Sequence, residues 1–461
     1  MIGSQYAHHP AHRNRNPREE TMAELNTDST TPTVGVALLG MGTVGREVLR
    51  ILGQAEADFT ARIGGRLEVR GVAVSDLSKP REGVDPALLT DDALGLVKRD
   101  DIDLVIEVIG GIDYPRTVVL AALKAGKSVV TANKALVAAH ALELADAADS
   151  SGADLFFEAA VAAAIPVVGP LRRSLAGDKV NTVMGIVNGT TNFILDAMDK
   201  RGASYGDMLA EATALGYAEA DPSADVDGYD AASKAAILAS LAFHSPVSFD
   251  DVHCEGIRSI TAEDVSAAQA VGCTIKLLAI CERLTDEKTG AESISARVYP
   301  SLVPLSHPLA TVSESFNAIF VVAEHAGRLM FYGNGAGGAP TASAVLGDVV
   351  AAARNVVHGG RAPGMSTYAN LPIADFGDVR TRYHVDMTVQ DRPGVLAEVA
   401  STFSAHGVSI KTVRQEEGTD SARLVVITHH ATEQALEETV AALNVLDAVK
   451  NVRSVIRMEG N

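Results

Sequence analysis

Cysteine is scarce in this chain: Cys254, Cys273 and Cys281 are all of it. An odd count without metal-ligand spacing argues against a disulfide framework and a thiolate metal site, fits a reducing cytoplasm, and leaves the three thiols as packing residues. Long apolar runs are missing too. No uncharged stretch reaches the roughly 18 residues that a bilayer span needs, and the N-terminal segment lacks the apolar core of a secretory signal. Positive charge is also short. Lys plus Arg number 39 against 58 Asp plus Glu, a formal net charge of -19, and such a surface repels phosphates instead of exchanging counterions with them. Nucleic acid and membrane drop out as partners, and a soluble protein handling small metabolites remains.

At 461 residues the chain is too long for one compact core, so two or three domains are expected. Residues 1–33 are rich in His, Asn, Arg and Ser and have little to bury. They read as a disordered tail in which His8, His9 and His12 are solvated. Either Met1 or Met22 is a possible start.

The first folded pattern is a buried strand, VGVALL at 34–39, that runs into Gly40-Met41-Gly42-Thr43-Val44-Gly45 and then a helical pattern, REVLRILGQ. Strand, glycine turn and helix in that order are what a dinucleotide-binding turn requires. Gly40 allows the tight turn, Gly42 lets the backbone approach a pyrophosphate, and Gly45 lets helix and strand pack closely. The phosphates would rest on the helix N-terminus, where unpaired N–H groups favour anions. Further strands at 67–74, 104–109 and 127–130 alternate with helices. That alternation predicts a doubly wound, Rossmann-type parallel sheet with ligands at the carboxyl ends of its strands, and it puts Gly110 and Lys134 on the cofactor rim. Asp76 lies slightly beyond the point where a carboxylate would take the ribose hydroxyl of NAD, and Lys79 and Arg81 follow it. The balance leans to NADP, with NAD possible.

The richest stretch lies at 212–234. It offers carboxylates at Glu219, Asp221, Asp225, Asp227 and Asp230 among Gly216, Pro222 and Gly228, and then Lys234. If the chain is helical from Tyr229, Asp230 and Lys234 stand one turn apart on one face. Alone, such a pair is an ordinary helix ion pair. After a loop of convergent acids, and opening a helix that is otherwise apolar, it reads as a site for a small polar ligand with a cationic end.

The spacing Ala212, Gly216-Tyr217, Asp221-Pro222, Asp225-Val226, Gly228, Asp230, Lys234 resembles the signature of homoserine dehydrogenases, and the similarity runs from about residue 34 to the C-terminus. The resemblance implies reduction of aspartate 4-semialdehyde to homoserine by a nicotinamide, and the reverse. It implies Lys234 as proton donor with Lys134 as its partner. Glu219 and Asp230 would hold the substrate ammonium, so their alanine variants should mainly raise the substrate KM. Thr190, in the NGTTN segment at 188–192, would serve the substrate carboxylate, and Gly216 and Glu219 would also touch the cofactor. A sodium or potassium ion would be held largely by backbone carbonyls at Glu158, Val161, Ala163 and Ile165, in a run too irregular to read as helix or strand. The ammonium of Lys234 could either give its proton to the reduced oxygen or stay charged beside it while water supplies the proton. A dehydrogenase of another amino aldehyde and a non-catalytic amino-acid sensor are the alternatives, and the Asp230/Lys234 pair argues against the sensor.

Beyond 292 the chain reads as strands, with turns at Pro300-Ser301, Pro308 and Gly327. They add an antiparallel sheet that, in the family, helps pair subunits within a dimer or tetramer. A second glycine turn at 333–338, with Gly335 returned to the nicotinamide by resemblance, precedes Pro340 and a long helix that completes the nucleotide domain. The expected domains are 34–165 with 334–358 for the dinucleotide, 166–333 for an α+β catalytic and dimerisation unit, 359–380 as linker, and 381–461. The last has βαββαβ order and resembles an ACT domain, a common amino-acid-binding module. Asp391-Arg392-Pro393-Gly394-Val395-Leu396 would form its effector turn, with threonine the natural ligand.

Overall fold

The computed structural model describes residues 31–416 and 421–460, so the expectations for the N-terminal tail, its histidines and its two start sites lie almost wholly outside the described residues. Six strands form the first sheet: β1 (Thr33–Leu39), β2 (Arg66–Ala73), β3 (Leu89–Thr90), β4 (Leu104–Glu107), β5 (Ser128–Thr131) and β6 (Leu155–Phe156). They lie in the order β3-β2-β1-β4-β5-β6, every pair parallel. This is the doubly wound arrangement expected from the alternating pattern. The helix Gly338–His358 returns to this sheet: Val345, Leu346 and Val349 pack in one cluster with Val36, Leu38 and Val48. Pro340 is the third residue of that helix, at a position where the missing N–H would have no intrahelical acceptor.

The second sheet holds β7 (Val180–Ile186), β8 (His253–Cys254), β9 (Cys273–Thr285), β10 (Glu292–Pro304), β11 (Phe316–Ala323), β12 (Gly327–Asn334), β13 (Arg380–Val389), β14 (Ile410–Glu416), β15 (Ala422–Thr428), β16 (Ala431–Thr432) and β17 (Val449–Met458). Its main path is β12-β11-β7-β9-β10-β17-β13-β15-β14, with β8 beside β10 and β16 beside β13. The C-terminal βαββαβ unit therefore does not hang free on a linker. Its last strand continues the catalytic sheet by pairing in parallel with β10 at Ser301↔Arg457 and Leu302↔Met458.

Two local expectations change. The turn expected at Pro300-Ser301 is interior to β10, where Pro300 falls between the pairing with β8, which ends at Val298, and the pairing with β17, which starts at Ser301. In that gap the edge of the strand is open, and the lack of an N–H is tolerated. The run after Leu155 is not formless either: it holds β6 and a one-turn helix, Ala159–Ala162, closed by Ala163 in the left-handed region at φ 47°. Segment 359–380 touches both units: the Ala362 N–H donates to Asp154 Oδ1 beside the first sheet at 2.9 Å, while the Leu371 N–H donates to Ser245 Oγ and Ile373 bridges to Ile294 in the catalytic unit. No described helix is long and apolar enough to cross a membrane.

Candidate active site

The glycine turn after β1 has the shape that its sequence implies. Gly40 sits at φ 98°, where a Cβ would also stand 2.7 Å from the Val108 carbonyl oxygen, and a Cβ on Gly45 would overlap the Gly40 carbonyl oxygen at 2.2 Å. At Gly42 nothing lies within 4 Å of the same position, so the backbone is open to a ligand there. Gly42 also caps the helix Thr43–Gln54 with no side-chain acceptor, leaving its first N–H groups for an anion. Met41, Thr43 and Val44 complete the turn, with Met41 buried at its base. A cavity of about 410 Å³ opens at this turn, lined by Gly40, Gly42, Ser75, Arg81, Ile109 and Tyr114. These features fit a dinucleotide.

The rim is built by Glu107, which the sequence reading passed over as part of a strand. It ends β4 fully buried, and its carboxylate accepts from the Thr131 hydroxyl at 2.5 Å and from the N–H groups of Ile109 at 2.8 Å and Gly110 at 3.4 Å. Asn133 donates to it at 3.5 Å and to the Gly111 carbonyl at 2.8 Å, and its Oδ1 caps the helix that starts at Lys134. Burial raises the Glu107 pKa against the pull of these donors. The signal available in sequence was a charged residue inside an otherwise apolar strand. We expect Glu107→Ala to strand these donors and lower the unfolding free energy by about 3 kcal/mol, read as a fall in Tm with a raised cofactor KM.

Lys134, on the first domain, and Lys234, on the helix Tyr229–Phe243 of the second, meet at one carboxylate. Asp230 Oδ1 takes the Lys134 ammonium, while Oδ2 accepts from Lys234 Nζ at 2.8 Å and from Asn188 Nδ2 at 2.9 Å. Lys234 is 7% exposed and donates a second bond to the Val187 carbonyl at 2.7 Å. Burial opposes ionisation of Asp230, but the charges of Lys234 and Lys134 outweigh it and hold the carboxyl well below its usual range. Asp230 thus spends its oxygens on the two lysines.

Asn188, the first residue of the NGTTN segment, caps Gly189–Arg201 through the Thr191 N–H, and it also ties Asp225 to Asp230 by donating to Asp225 Oδ1 at 2.7 Å. Thr190 donates to the Tyr217 carbonyl at 2.8 Å, which fastens the NGTTN segment to the acidic loop. Asp227 pairs with Arg258, and Asp221 accepts from the Ser223 N–H at 3.1 Å. Glu219 is exposed and makes no hydrogen bond or ion pair among the described residues; Gly216 beside it is exposed at φ 77°.

Glu158 uses its side chain on the backbone, accepting from the N–H groups of Val167, Val168 and Gly169 at 2.6, 2.8 and 2.7 Å. No cluster of His, Cys, Asp or Glu suited to a metal occurs among the described residues. Gly335 presses on Asn317, whose Nδ2 would lie 1.9 Å from a Cβ there, so a larger residue in that second turn would have to displace the Asn317 side chain. In the C-terminal unit, Arg392 of the Asp391–Leu396 turn pairs with Glu398 at 2.8 Å, and Gly394 at φ 93° starts the helix Val395–Ala405.

Three known protein families match successive stretches of the chain. The homoserine dehydrogenase NAD binding domain matches residues 40–158, homoserine dehydrogenase matches 166–350, and the ACT domain matches 383–448. A homoserine dehydrogenase of Corynebacterium glutamicum is 71% identical over 426 residues, covering 92% of this chain and 96% of its own length. One from Mycobacterium tuberculosis is 59% identical, over 93% of this chain and 98% of its own. The crystal structure of a homoserine dehydrogenase from Thiobacillus denitrificans superposes with a TM-score of 0.86 at 38% identity, covering 93% of this chain and 99% of that one. With the signature at 212–234, the nucleotide turn and the ACT unit all present in one chain, and relatives this similar along nearly their whole length, the chain belongs to the homoserine dehydrogenase family.

Proposed function

We propose that this chain interconverts L-aspartate 4-semialdehyde and L-homoserine, a step toward threonine and methionine, at the place where Lys134 and Lys234 share Asp230. That convergence of two domains on one carboxylate carries the reading. When bound, a nicotinamide supplies or takes the hydride at the carbonyl carbon. Negative charge then grows on the carbonyl oxygen, and a positioned cation or acid lowers the barrier. An ammonium has three donors. Lys234 gives one to Asp230 and one to Val187, so its third is available to that oxygen. Lys134, more exposed, stands beside it as a second positive charge. Glu219, exposed and unpaired, takes the substrate ammonium, and Thr190 with its loop takes the substrate carboxylate. The test is direct: purified protein should oxidise NADPH when aspartate 4-semialdehyde is added, and no oxidation would overturn the reading.

The cofactor reading leans to NADP. Asp76 is engaged with its own turn, accepting from the Ser78 N–H at 2.9 Å and hydroxyl at 2.6 Å, while Arg81 reaches back to the Met41 carbonyl at 3.2 Å. A guanidinium beside the fingerprint turn suits the ribose phosphate. Arg81→Ala should raise the KM for NADPH about tenfold and leave that for NADH within about twofold, in parallel initial-rate assays.

A sodium or potassium ion held by carbonyls of Glu158, Val161, Ala163 and Ile165 belongs to the same proposal. So do the domain divisions 34–165 with 334–358, 166–333 and 381–461, a homodimer or homotetramer, a cytoplasmic setting for three free thiols, and threonine as the ACT effector at Asp391–Leu396.

A further inference from the structure

Where β17 joins β10, one arginine holds three segments together. Arg457 donates to Glu255 Oε2 at 2.8 Å and to Glu433 Oε2 at 3.0 Å, and its guanidinium lies 4.5 Å from the ring centre of Tyr299, 5.3 Å from Phe376 and 5.7 Å from Tyr383. Glu433, fully buried, opens the second helix of the ACT unit, Glu433–Asn444, and also accepts from the Tyr383 hydroxyl at 2.8 Å and from the Thr381 hydroxyl. Glu255 belongs to the catalytic unit, where its other oxygen meets His253 Nε2 at 2.7 Å and the His253 ring stacks on Phe376 at 3.5 Å. Burial disfavours the Glu255 carboxylate, but the hydrogen bonds from His253 and Arg457 prevail and bring it down to about 2.

The residues next to Glu255 press on the acidic loop. A Cβ on Gly256 would stand 2.2 Å from the Val226 carbonyl oxygen and 2.5 Å from the Asp227 Cα, an approach only glycine permits. The Ile257 N–H donates to the Val226 carbonyl at 2.8 Å, and Arg258 pairs with Asp227. Val226 and Asp227 sit between Asp225, which Asn188 holds, and Gly228, which starts the helix of Asp230 and Lys234. An unbroken series of close contacts thus runs from the ACT helix through Arg457, Glu255 and 256–258 to the segment that presents the substrate site.

We propose that Arg457 and Glu255 are positioning residues for the acidic loop, and that their ion pair is the link through which the ACT unit sets substrate affinity. The regulatory half rests on the ACT unit being an effector module. Arg457 can keep Glu433 and Glu255 together only while the two units hold their present relation. A shift of the ACT helix would release Glu255 and loosen 225–228, weakening the grip on the substrate while leaving the nucleotide turn alone.

The test uses the full chain with Glu255→Gln, Arg457→Lys and the double variant. Glu255 is 41% exposed at its side chain, so its variant is expected to fold. Three measurements are made: homoserine and NADP KM values with kcat, amide hydrogen exchange of 221–228, and inhibition by threonine as the probe. We expect the homoserine KM to rise five- to tenfold with NADP KM within about twofold and kcat within about threefold, faster exchange at 221–228, and a double variant no worse than the singles. Inhibition by threonine should need at least tenfold more of it. Wild-type homoserine KM and exchange in a variant of unchanged Tm would overturn the link. If threonine inhibits wild type and Glu255→Gln equally, the regulatory half falls while the effector reading stands. If threonine leaves wild type unaffected, it is the threonine reading that falls, and KM and exchange still decide the positioning role.

Discussion

Lys234→Ala should lower kcat by about a thousandfold, the middle of the range for a group that protonates or stabilises a reacting oxygen, with the NADPH Kd within about twofold of wild type. The expectation of intact cofactor binding follows from separation of parts: the proposed nucleotide site is the turn at Gly40–Gly45 and the rim built by Glu107, and the hydrogen bonds of Lys234 go to Asp230 and Val187 instead. The fold should survive as well, because Asp230 keeps Lys134 and Asn188 as partners when Lys234 is gone. Stopped-flow or steady-state rates with fluorescence titration of NADPH would check both halves, and a near-normal kcat would remove Lys234 from the mechanism. Lys234→Arg then separates the two roles left open by the sequence. A guanidinium carries charge but does not release its proton in proteins. A variant as inactive as the alanine points to proton transfer from Lys234, whereas substantial recovery points to charge stabilisation with water as the proton source.

Legibility from sequence followed the range of the interactions. The Asp230/Lys234 pair was readable because both ends lie on one helical turn, and the structure has them 2.8 Å apart. The nucleotide turn was readable because its glycines are locally obligatory, and the order of strands and helices sufficed for the first sheet. What stayed hidden depends on separated partners. Lys134 is 96 residues from Asp230, and without the family resemblance nothing in its surroundings names that carboxylate. The cap contact of Asn188 is local and readable from its neighbours, while its bridge to Asp225 and Asp230 is not. The strand β9, 13 residues and buried along most of its length, passed unread because it lacks alternation and bounding turns strong enough to set it off. The junction of β17 with β10 rests on two residue pairs at strand ends and leaves no pattern at all.

Asp230→Asn carries the other large effect, and it should appear in kcat more than in substrate KM. The sequence suggested Asp230 as a ligand of the substrate ammonium, whose loss would raise KM. Its oxygens in the structure face Lys134, Lys234 and Asn188, so the charge removed is the one that holds both lysines in place. The amide retains the shape but offers one acceptor where two were used, and its NH2 faces an ammonium. At least one lysine must turn away, and we expect kcat to fall by about a hundredfold or more. Glu219→Ala is the control: exposed and unpaired, it should raise the homoserine KM and spare kcat. Stability gives an independent reading. Lys234 is nearly buried, and leaving it without its counter-charge should cost about 3 kcal/mol at neutral pH. Because the folded Asp230 titrates below the unfolded carboxylate, its contribution is present above about pH 3.9 and is lost as pH falls through the folded value. Urea melts of wild type and Asp230→Asn should therefore differ most near neutrality and converge in acid. A gap that stayed constant into acid would mean that Asp230 is held by shape alone, and the two lysines would need another anchor.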